Sequence, residues 1–433
     1  MKFIAIIIAK IVLFFGRLLG RGSSLPGMIA RKISPGILNE FKYPDVVMVT
    51  GTNGKTSTTH FISSIMERAS MKVAHNKEGA NMPQGITTIL IENSDLKGNI
   101  DADICVLEVD EGFLKTMTDQ IIPEYIVLTN LFEDQIDRFS SIEELAEKIK
   151  MSIPRETKLI INANDPVLVQ LGYDLIENEK VYFGVEEIKG TGEQKYPCQK
   201  CRCGQELFYT KILYDKLGYY SCDCGFKTPR IDYLATDVDL ENKSFKLNGF
   251  EFKSKYGTDY FVFNLMAAIS YAKEIGITDA VIEKGISEYE IGSGRLQPVK
   301  IGKHDTILNL VKNPSGLNRS IEYIDRNSKD DYLLFLAVNK RPADGEDGSW
   351  LNSVNFNALK DNKAKEIICT GEAVDEIVNA LKNSGIPEEK IKITEDIPKT
   401  VSDLCNSDIK PYFLTNYTAM ESVSKAIEQN KSA

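Results

Sequence analysis

Residues 46–60 constrain this chain more than any other stretch. Val46-Val47-Met48-Val49 reads as a buried strand and Thr50-Gly51-Thr52-Asn53-Gly54 as a glycine-punctuated turn. Lys55-Thr56 then opens a helix whose Phe61, Ile62, Ile65, Met66 and Ala69 share one face. A strand, a Gly-rich turn and a helix N-terminus make a phosphate cradle. The glycines let backbone N–H groups approach the oxygens, the helix dipole favours an anion, and Lys55 adds a point charge. Thr56 is placed to put its hydroxyl on a magnesium ion. An ordinary strand–helix turn does not account for Lys55-Thr56 at the helix start, although Val49 stands where the usual loop has its first glycine. Thr52, Asn53, Gly54, Lys55, Thr56 and Ser57 are therefore the expected nucleotide contacts.

The surrounding pattern places that cradle in an α/β domain. From Asp45 to about Gly184 apolar strands alternate with helices, as in a mainly parallel sheet covered on both faces. Ile104–Leu107 delivers Glu108, Asp110 and Glu111 at its carboxyl end. Tyr125–Leu128 delivers Thr129-Asn130 and then Asp134 and Asp137, and Leu159–Ile161 delivers Asn162, Asn164, Asp165 and Pro166. Such sheets bind ligands at that edge. Glu108 is the natural second magnesium ligand, because a hard cation bridging phosphates takes one or two carboxylates plus water. Glu111 reads as a solvated surface charge. The α/β pattern resumes after Asp232, Gly292-Ser293-Gly294-Arg295 marks a domain boundary, and a smaller α/β domain follows. Its strands are read at Thr306–Leu310, Tyr332–Val338, Ile367–Thr370 and Tyr412–Leu414. The expected domains are 1–44, a helix and loop; 45–295, the domain that holds the phosphate cradle; and 296–433, the smaller α/β domain.

Five of the eight cysteines lie between Cys198 and Cys224, which points to metal ligation in a reducing compartment. Cys198-Gln-Lys-Cys201-Arg-Cys203-Gly204 and Cys222-Asp-Cys224-Gly225 look like the two knuckles of a zinc ribbon inserted at about 195–230. Cys203, Cys222 and Cys224 are the firmest ligands, with Cys201 and Cys198 competing for the fourth place. Cys105, inside an apolar strand, reads as core. A net charge of -10 argues against a general nucleic-acid binder. Residues 3–15 are apolar except for Lys10, and the run is shorter than the ~20 residues of a membrane span. It fits an interfacial helix on an anionic membrane or a helix docked on the protein's own core, and the second is preferred. Asn339-Lys340-Arg341-Pro342 lacks the final aspartate of a guanine-reading motif.

Thr50-Gly-Thr-Asn-Gly-Lys-Thr-Ser-Thr-Thr59 resembles the ATP loop of the Mur ligase superfamily, and Asn162-Ala-Asn-Asp165-Pro166 and Asn264-Leu-Met-Ala-Ala268 are similar to its nucleotide-binding segments. Only about fifty residues precede the loop, too few for the UDP-binding domain of ordinary Mur ligases. The chain most resembles the MurT family, the synthetase subunits of lipid II isoglutaminyl synthases. The resemblance rests on Gly20-Arg-Gly22, Ser24-Leu-Pro-Gly27, Gly79-Ala-Asn81-Met82, the run Thr129–Arg138, the ribbon, Asn313-Pro-Ser-Gly316 and Ala343–Trp350. The ribbon spacing, the apolar N-terminus and Gly348 depart from that pattern.

That resemblance implies ATP-dependent amidation of the D-glutamate α-carboxylate of lipid II through an acyl phosphate, with ATP, Mg2+ and Zn2+ bound. Lys55 would act on the transferring phosphoryl group, Thr56 and Glu108 would hold magnesium, and Asn264 would read adenine. Asn162, Asp165 and Arg295 would lie near the nucleotide. A GatD-type glutaminase subunit would supply ammonia in a heterodimer, with Asp347, or failing it Asp344, completing that partner's Cys-His pair. The expected location is cytoplasmic, peripheral to the inner face of the plasma membrane. Two other readings stay open: a stand-alone Mur-type amino acid ligase such as a folylpolyglutamate synthetase, and a non-catalytic ATP-regulated scaffold.

Overall fold

The computed structural model describes residues 1–18, 24–76, 80–132, 141–189, 199–255, 257–288, 296–341, 344–360 and 363–431. Arg295, Cys198, Asp134 and Asp137 lie outside them. The chain divides into two compact units, Met1–Tyr289 and Glu290–Ala433.

The first unit is built on one large sheet. Its strands are β1 (Asp45–Thr50), β2 (Val73–His75), β3 (Ile104–Glu108), β4 (Tyr125–Leu128), β5 (Lys158–Asn162) and β6 (Lys180–Val185). The order β6-β5-β4-β1-β3-β2 is parallel throughout, with β1 between β3 and β4. All of β3 and most of β1, β4 and β5 are buried, which is why these strands read as unbroken apolar runs rather than alternations. Beyond β6 the alternation expected after Asp232 does not resume at once. Past β7 (Ile188–Lys189) and a separate hairpin, β8 (Phe208–Tyr214) with β9 (Leu217–Ser221), comes β10 (Tyr233–Asp239), parallel to β6. Strands β11 (Ser244–Leu247) and β12 (Phe250–Lys253) then continue antiparallel as a meander. The connection is too short for a crossover helix: Asn248 and Gly249, both at positive φ, turn the chain straight back.

The helix Lys2–Leu18 buries Ala5, Ile6, Ala9 and Leu13. The first three join a core shared with Ala30, Leu38, Leu90 and Met48 of β1, so the preferred docking on the protein's own core is what forms. The helices Lys55–Arg68 and Asp279–Glu288 approach closely at Gly285, where a Cβ would meet the Ile65 Cα at 2.7 Å.

In the second unit β13 (Gln297–Ile301), β14 (His304–Leu310), β15 (Tyr332–Ala337), β16 (Ala364–Thr370), β17 (Ile391–Ile393) and β18 (Lys410–Thr415) form a sheet in the order β13-β14-β18-β15-β16-β17. Only β13 is antiparallel to its neighbour. β13 and β17 escape sequence reading because they are short or alternate in burial at the sheet edges. Asn313 is the N-cap of the helix Pro314–Asn327, its Oδ1 accepting from the Gly316 N–H at 2.8 Å. The Asn-Pro-Ser-Gly segment is thus a capping device.

Asp165 plays a comparable part in the first unit. Fully buried, it accepts from the N–H groups of Val167 (2.9 Å), Leu168 (3.4 Å) and Leu131 (2.8 Å), capping the helix Pro166–Asp174 and fixing the chain after β4. Asp165→Ala removes an N-cap and strands a buried donor, so urea unfolding of the first unit should show a loss of about 2–4 kcal/mol. Asp165→Asn, which keeps one acceptor oxygen, should recover part of it.

Candidate functional site

The turn after β1 is held open by other backbone. Gly51 (φ 132°) and Gly54 (φ 84°) occupy the left-handed region. A Cβ on Gly51 would collide with Thr129 Oγ1, and one on Gly54 with Asn264 Oδ1. The turn is pinned by residues that follow β4. Asn130 Oδ1 accepts from the Asn53 N–H at 2.9 Å while its Nδ2 donates to the Asn53 carbonyl at 3.0 Å. Thr129 Oγ1 donates to the same carbonyl at 2.8 Å, and the Phe132 N–H donates to Thr52 Oγ1 at 3.0 Å. Behind them Asn162 Nδ2 donates to the Thr129 carbonyl at 3.0 Å. Asn264 meets the turn itself, its Oδ1 against Gly54 and its carbonyl accepting from Thr58 Oγ1 at 3.4 Å. Asn162 and Asp165 therefore support the cradle through backbone bonds, and Asn264 abuts it.

Lys55 and Thr56 stand in the first turn of the helix, with Ser57 buried behind them. The Lys55 ammonium donates to the carbonyls of Gly51 (2.5 Å) and Thr52 (3.1 Å) and pairs with Glu111 Oε2 at 2.8 Å. Glu111 is therefore not the solvated charge expected from sequence: it is buried and answers the one cation in the turn. The cause is the short helix Glu111–Phe113 that begins directly after β3 and folds the carboxylate back, with Asp110 capping it through the Gly112 N–H. Burial works against the Lys55 charge, but Glu111, with Glu108 and Asp110 beyond it, holds its pKa above the ordinary lysine value.

Glu108 ends β3 beside β1, in register with Val49. Asn76 clasps its backbone on both sides, at 2.8 Å each, and Asn81 Nδ2 donates to its Oε1 at 3.0 Å. Its Oε2 is buried without a hydrogen-bond partner. An unanswered oxygen on a buried carboxylate beside a phosphate-type turn fits a hard divalent cation. Asn76 is not marked by the sequence as a site residue, and Asn130 is marked only as one of the polar residues at the carboxyl edge of β4. Their signal was present in the asparagine that closes each strand, but an isolated asparagine does not say which backbone it will bond.

The cysteine knuckles form one cluster. The sulfurs of Cys201, Cys203, Cys222 and Cys224 all lie within 4.8 Å of one another, with Cys201–Cys224 at 3.6 Å and Cys203–Cys222 at 3.5 Å. Thiolates ~2.3 Å from zinc sit about 3.8 Å apart in a tetrahedron, far from the ~2.05 Å of a disulfide. The two knuckles repeat one design. The Cys201 N–H donates to the Gln205 carbonyl and the Cys222 N–H to the Phe226 carbonyl, at 2.8 and 2.7 Å. Gly204 and Gly225 donate back to the Cys201 and Cys222 carbonyls, both at 2.9 Å. Both glycines have φ near +90°, which explains a glycine after each Cys-x-Cys. A backbone bond from Phe226 lowers the Cys224 thiol to about 7, whereas burial pushes Cys201 up to about 12. Cys105 is core as expected, its thiol also pushed up to about 12 by burial.

In the second unit Asp347 is exposed and accepts from the Ser349 N–H (2.8 Å) and Oγ (2.6 Å), which keep its carboxyl below the usual range. Asp344 is tied to the N–H of Thr418 at 2.9 Å and to its hydroxyl.

Two family models match the chain: the Mur ligase middle domain over residues 49–272 and the MurT ligase C-terminal domain over residues 310–420. The chain is 31% identical to a lipid II isoglutaminyl synthase (glutamine-hydrolyzing) subunit MurT of Staphylococcus aureus, over 99% of each chain. It is 34% identical to the Streptococcus pneumoniae protein of the same name, over 93% of this chain and 91% of that one. A pseudomurein peptide ligase type C from Methanothermus fervidus shares the fold, with a TM-score of 0.71 at 22% identity, covering 91% of this chain and 80% of that one. With a phosphate-type turn, a buried carboxylate beside it and near full-length identity above 30%, this chain belongs to the MurT family of the Mur ligase superfamily.

Proposed function

We propose that this chain is the synthetase subunit of a lipid II isoglutaminyl synthase, amidating the α-carboxylate of D-glutamate in the lipid II stem peptide. The observation that carries the reading is the likeness to curated MurT subunits along almost the whole chain. A carboxylate oxygen attacks the γ-phosphorus of ATP, and the bond to the β-phosphate oxygen breaks, releasing ADP and leaving an acyl phosphate. Ammonia then adds to the carbonyl carbon, phosphate departs and the nitrogen loses a proton, giving D-isoglutamine.

In this reading Lys55 leaves Glu111 for the phosphates and offsets charge on the transferring group. The N–H groups of 54–57 at the helix start would cradle the anion, and Asn264, which abuts the turn at Gly54, would read the base as the resemblance implies. Thr56 and Glu108 would hold magnesium, which would neutralise charge on the phosphates. Arg295 keeps its proposed place near the nucleotide on the resemblance alone. Cys201, Cys203, Cys222 and Cys224 would hold a structural zinc ion, since four thiolates close the coordination sphere.

The nitrogen would come from a GatD-type glutaminase subunit in a heterodimer. Asp347 suits the acid that orients that partner's histidine, because it is exposed and kept ionised, whereas Asp344 is committed to Thr418. ATP and unpaired cysteines support a cytoplasmic location. No helix among the described residues is long and apolar enough to cross a membrane.

Amidation of lipid II by the purified chain with ATP and magnesium tests the reading. Ammonium should suffice as nitrogen source, and glutamine should work only with the glutaminase present. Lys55→Ala should cost about 10²–10³-fold in the ammonium reaction. Asp347→Asn should spare that reaction and lower the glutamine-driven one by at least about 10²-fold. Incorporation of a free amino acid in place of an amide would establish the stand-alone ligase. Nucleotide binding without any ligation would establish the scaffold. For the cysteine cluster, elemental analysis should find about one zinc per chain, lost in Cys203→Ser with a lowered melting temperature.

A further inference from the structure

The first helix is oriented against the usual rule for a surface helix. Its inner side is packed into the first unit through Ala5, Ile6, Ala9 and Leu13. Both lysines with described side chains turn the same way: Lys2 Nζ donates to the Glu40 carbonyl at 2.9 Å, and Lys10 Nζ to the Ser94 carbonyl at 2.7 Å. The outward side carries Phe3, Ile4, Ile8, Ile11, Phe14 and Phe15, between 36% and 62% exposed. At 100° per residue these six fall within an arc of roughly 140°, which contains no charged position. Scattered exposed apolar residues need no explanation, but a contiguous stripe along a whole helix does. Leu25 and Met28 of the next helix, which packs against the first, are also exposed.

We propose that this outward face docks flat on an anionic lipid bilayer. The charge distribution selects that occupant. Residues 1–44 hold seven Lys and Arg against one Glu, a net of +6, which leaves -16 on the rest of a chain of net -10. A basic segment with an apolar stripe matches an anionic membrane surface, where apolar burial and attraction to the headgroups act together. A second copy of the chain would bring two +6 segments against one another. The geometry also sets the mode. The helix Lys2–Leu18 is 17 residues, about 26 Å long, and is clamped lengthwise on the protein core, so it lies in the interface rather than across it. This inference does not depend on the amidation reading. If that reading also holds, the docked face brings the chain to the surface that carries a lipid-linked acceptor.

The test is co-sedimentation of the full chain with vesicles of phosphatidylglycerol and phosphatidylethanolamine, against vesicles of phosphatidylcholine alone. The wild type should pellet with the anionic vesicles and at least tenfold less with the zwitterionic ones, and raising salt should release part of it. The triple variant Ile4→Ser, Ile11→Ser, Phe15→Ser replaces exposed side chains only. It should keep the wild-type melting temperature and lose at least tenfold in anionic-vesicle binding. The parallel variant Ile122→Ser, Ile176→Ser, also at exposed positions, should bind as the wild type does. Phe14→Trp in a Trp350→Phe background should shift its emission to the blue when anionic vesicles are added. Three results would overturn the proposal: a wild type that stays in the supernatant, a folded triple variant that binds undiminished, or a self-association lost in the triple variant without vesicle binding by the wild type.

Discussion

A strand that ends in a turn leaves N–H and C=O groups without ladder partners, and burying them unanswered costs free energy. At the carboxyl edge of the first unit's sheet, that requirement shapes everything around the phosphate turn. Asn130 satisfies both backbone groups of Asn53, Thr129 adds a second bond to the same carbonyl, and Thr52 exchanges bonds with Phe132. Asn162 and Asp165 do the same one layer back, on Thr129 and Leu131. The turn is thus held by its neighbours' side chains as much as by its own glycines. Replacing any of these short polar groups would leave a buried partner unmet.

The charges follow a second constraint. Lys55 faces Glu108, Asp110 and Glu111, three carboxylates against one ammonium. A buried ammonium without an anion is expensive, and Glu111 supplies the anion at 2.8 Å. When phosphate oxygens take over that lysine, Glu111 loses its cation while the local excess of negative charge grows. A triphosphate entering alone would meet repulsion, whereas one accompanied by a divalent cation would not. The unanswered Glu108 Oε2 is where such a cation gains most. In the proposed reading the acidic wall would favour the metal–nucleotide complex over the free nucleotide.

The parts of this molecule that were legible in its sequence are those set by local rules. Parallel strands buried on both faces appear as apolar runs, so β1, β3, β4, β5, β15 and β18 were readable. The strand–turn–helix at Lys55 and the paired Cys-x-Cys-Gly knuckles carry their geometry in their spacing. What escaped depends on tertiary partners. Glu111 reads as a surface charge until the short helix after β3 turns it toward Lys55. Asp165 and Asn162 are expected near the nucleotide from the resemblance, and what only the tertiary structure shows is that their side chains bond the backbone framing the turn. The first helix bears out its preferred reading, since one side is core, while its other side is exposed and apolar.

The segment Asn162-Ala163-Asn164-Asp165 also explains why the cysteine hairpin is more than an appendage. Asn162 bonds to Thr129, and the Ala163 carbonyl accepts from Tyr220 Oη on β9 at 3.0 Å. The Asn164 carbonyl accepts from the Gly218 N–H at 2.9 Å, while its Oδ1 takes the Val185 N–H of β6 at 2.8 Å. Asp165 reaches Leu131. A two-stranded hairpin is marginal alone, and this one rests on a small core of Leu207, Tyr209, Tyr220, Phe226 and Val169 together with buried Leu213, Tyr214 and Leu217. A metal ion linking the four sulfurs at its open end would remove freedom that those contacts alone would have to offset. Slackening at the cysteines would be felt at Gly218 and Tyr220, hence at Ala163 and Asn164. From there one bond leads through Asn162 to Thr129, which holds the Asn53 carbonyl of the phosphate turn. The cluster is remote from the phosphate turn in sequence but joined to it by a continuous chain of hydrogen bonds.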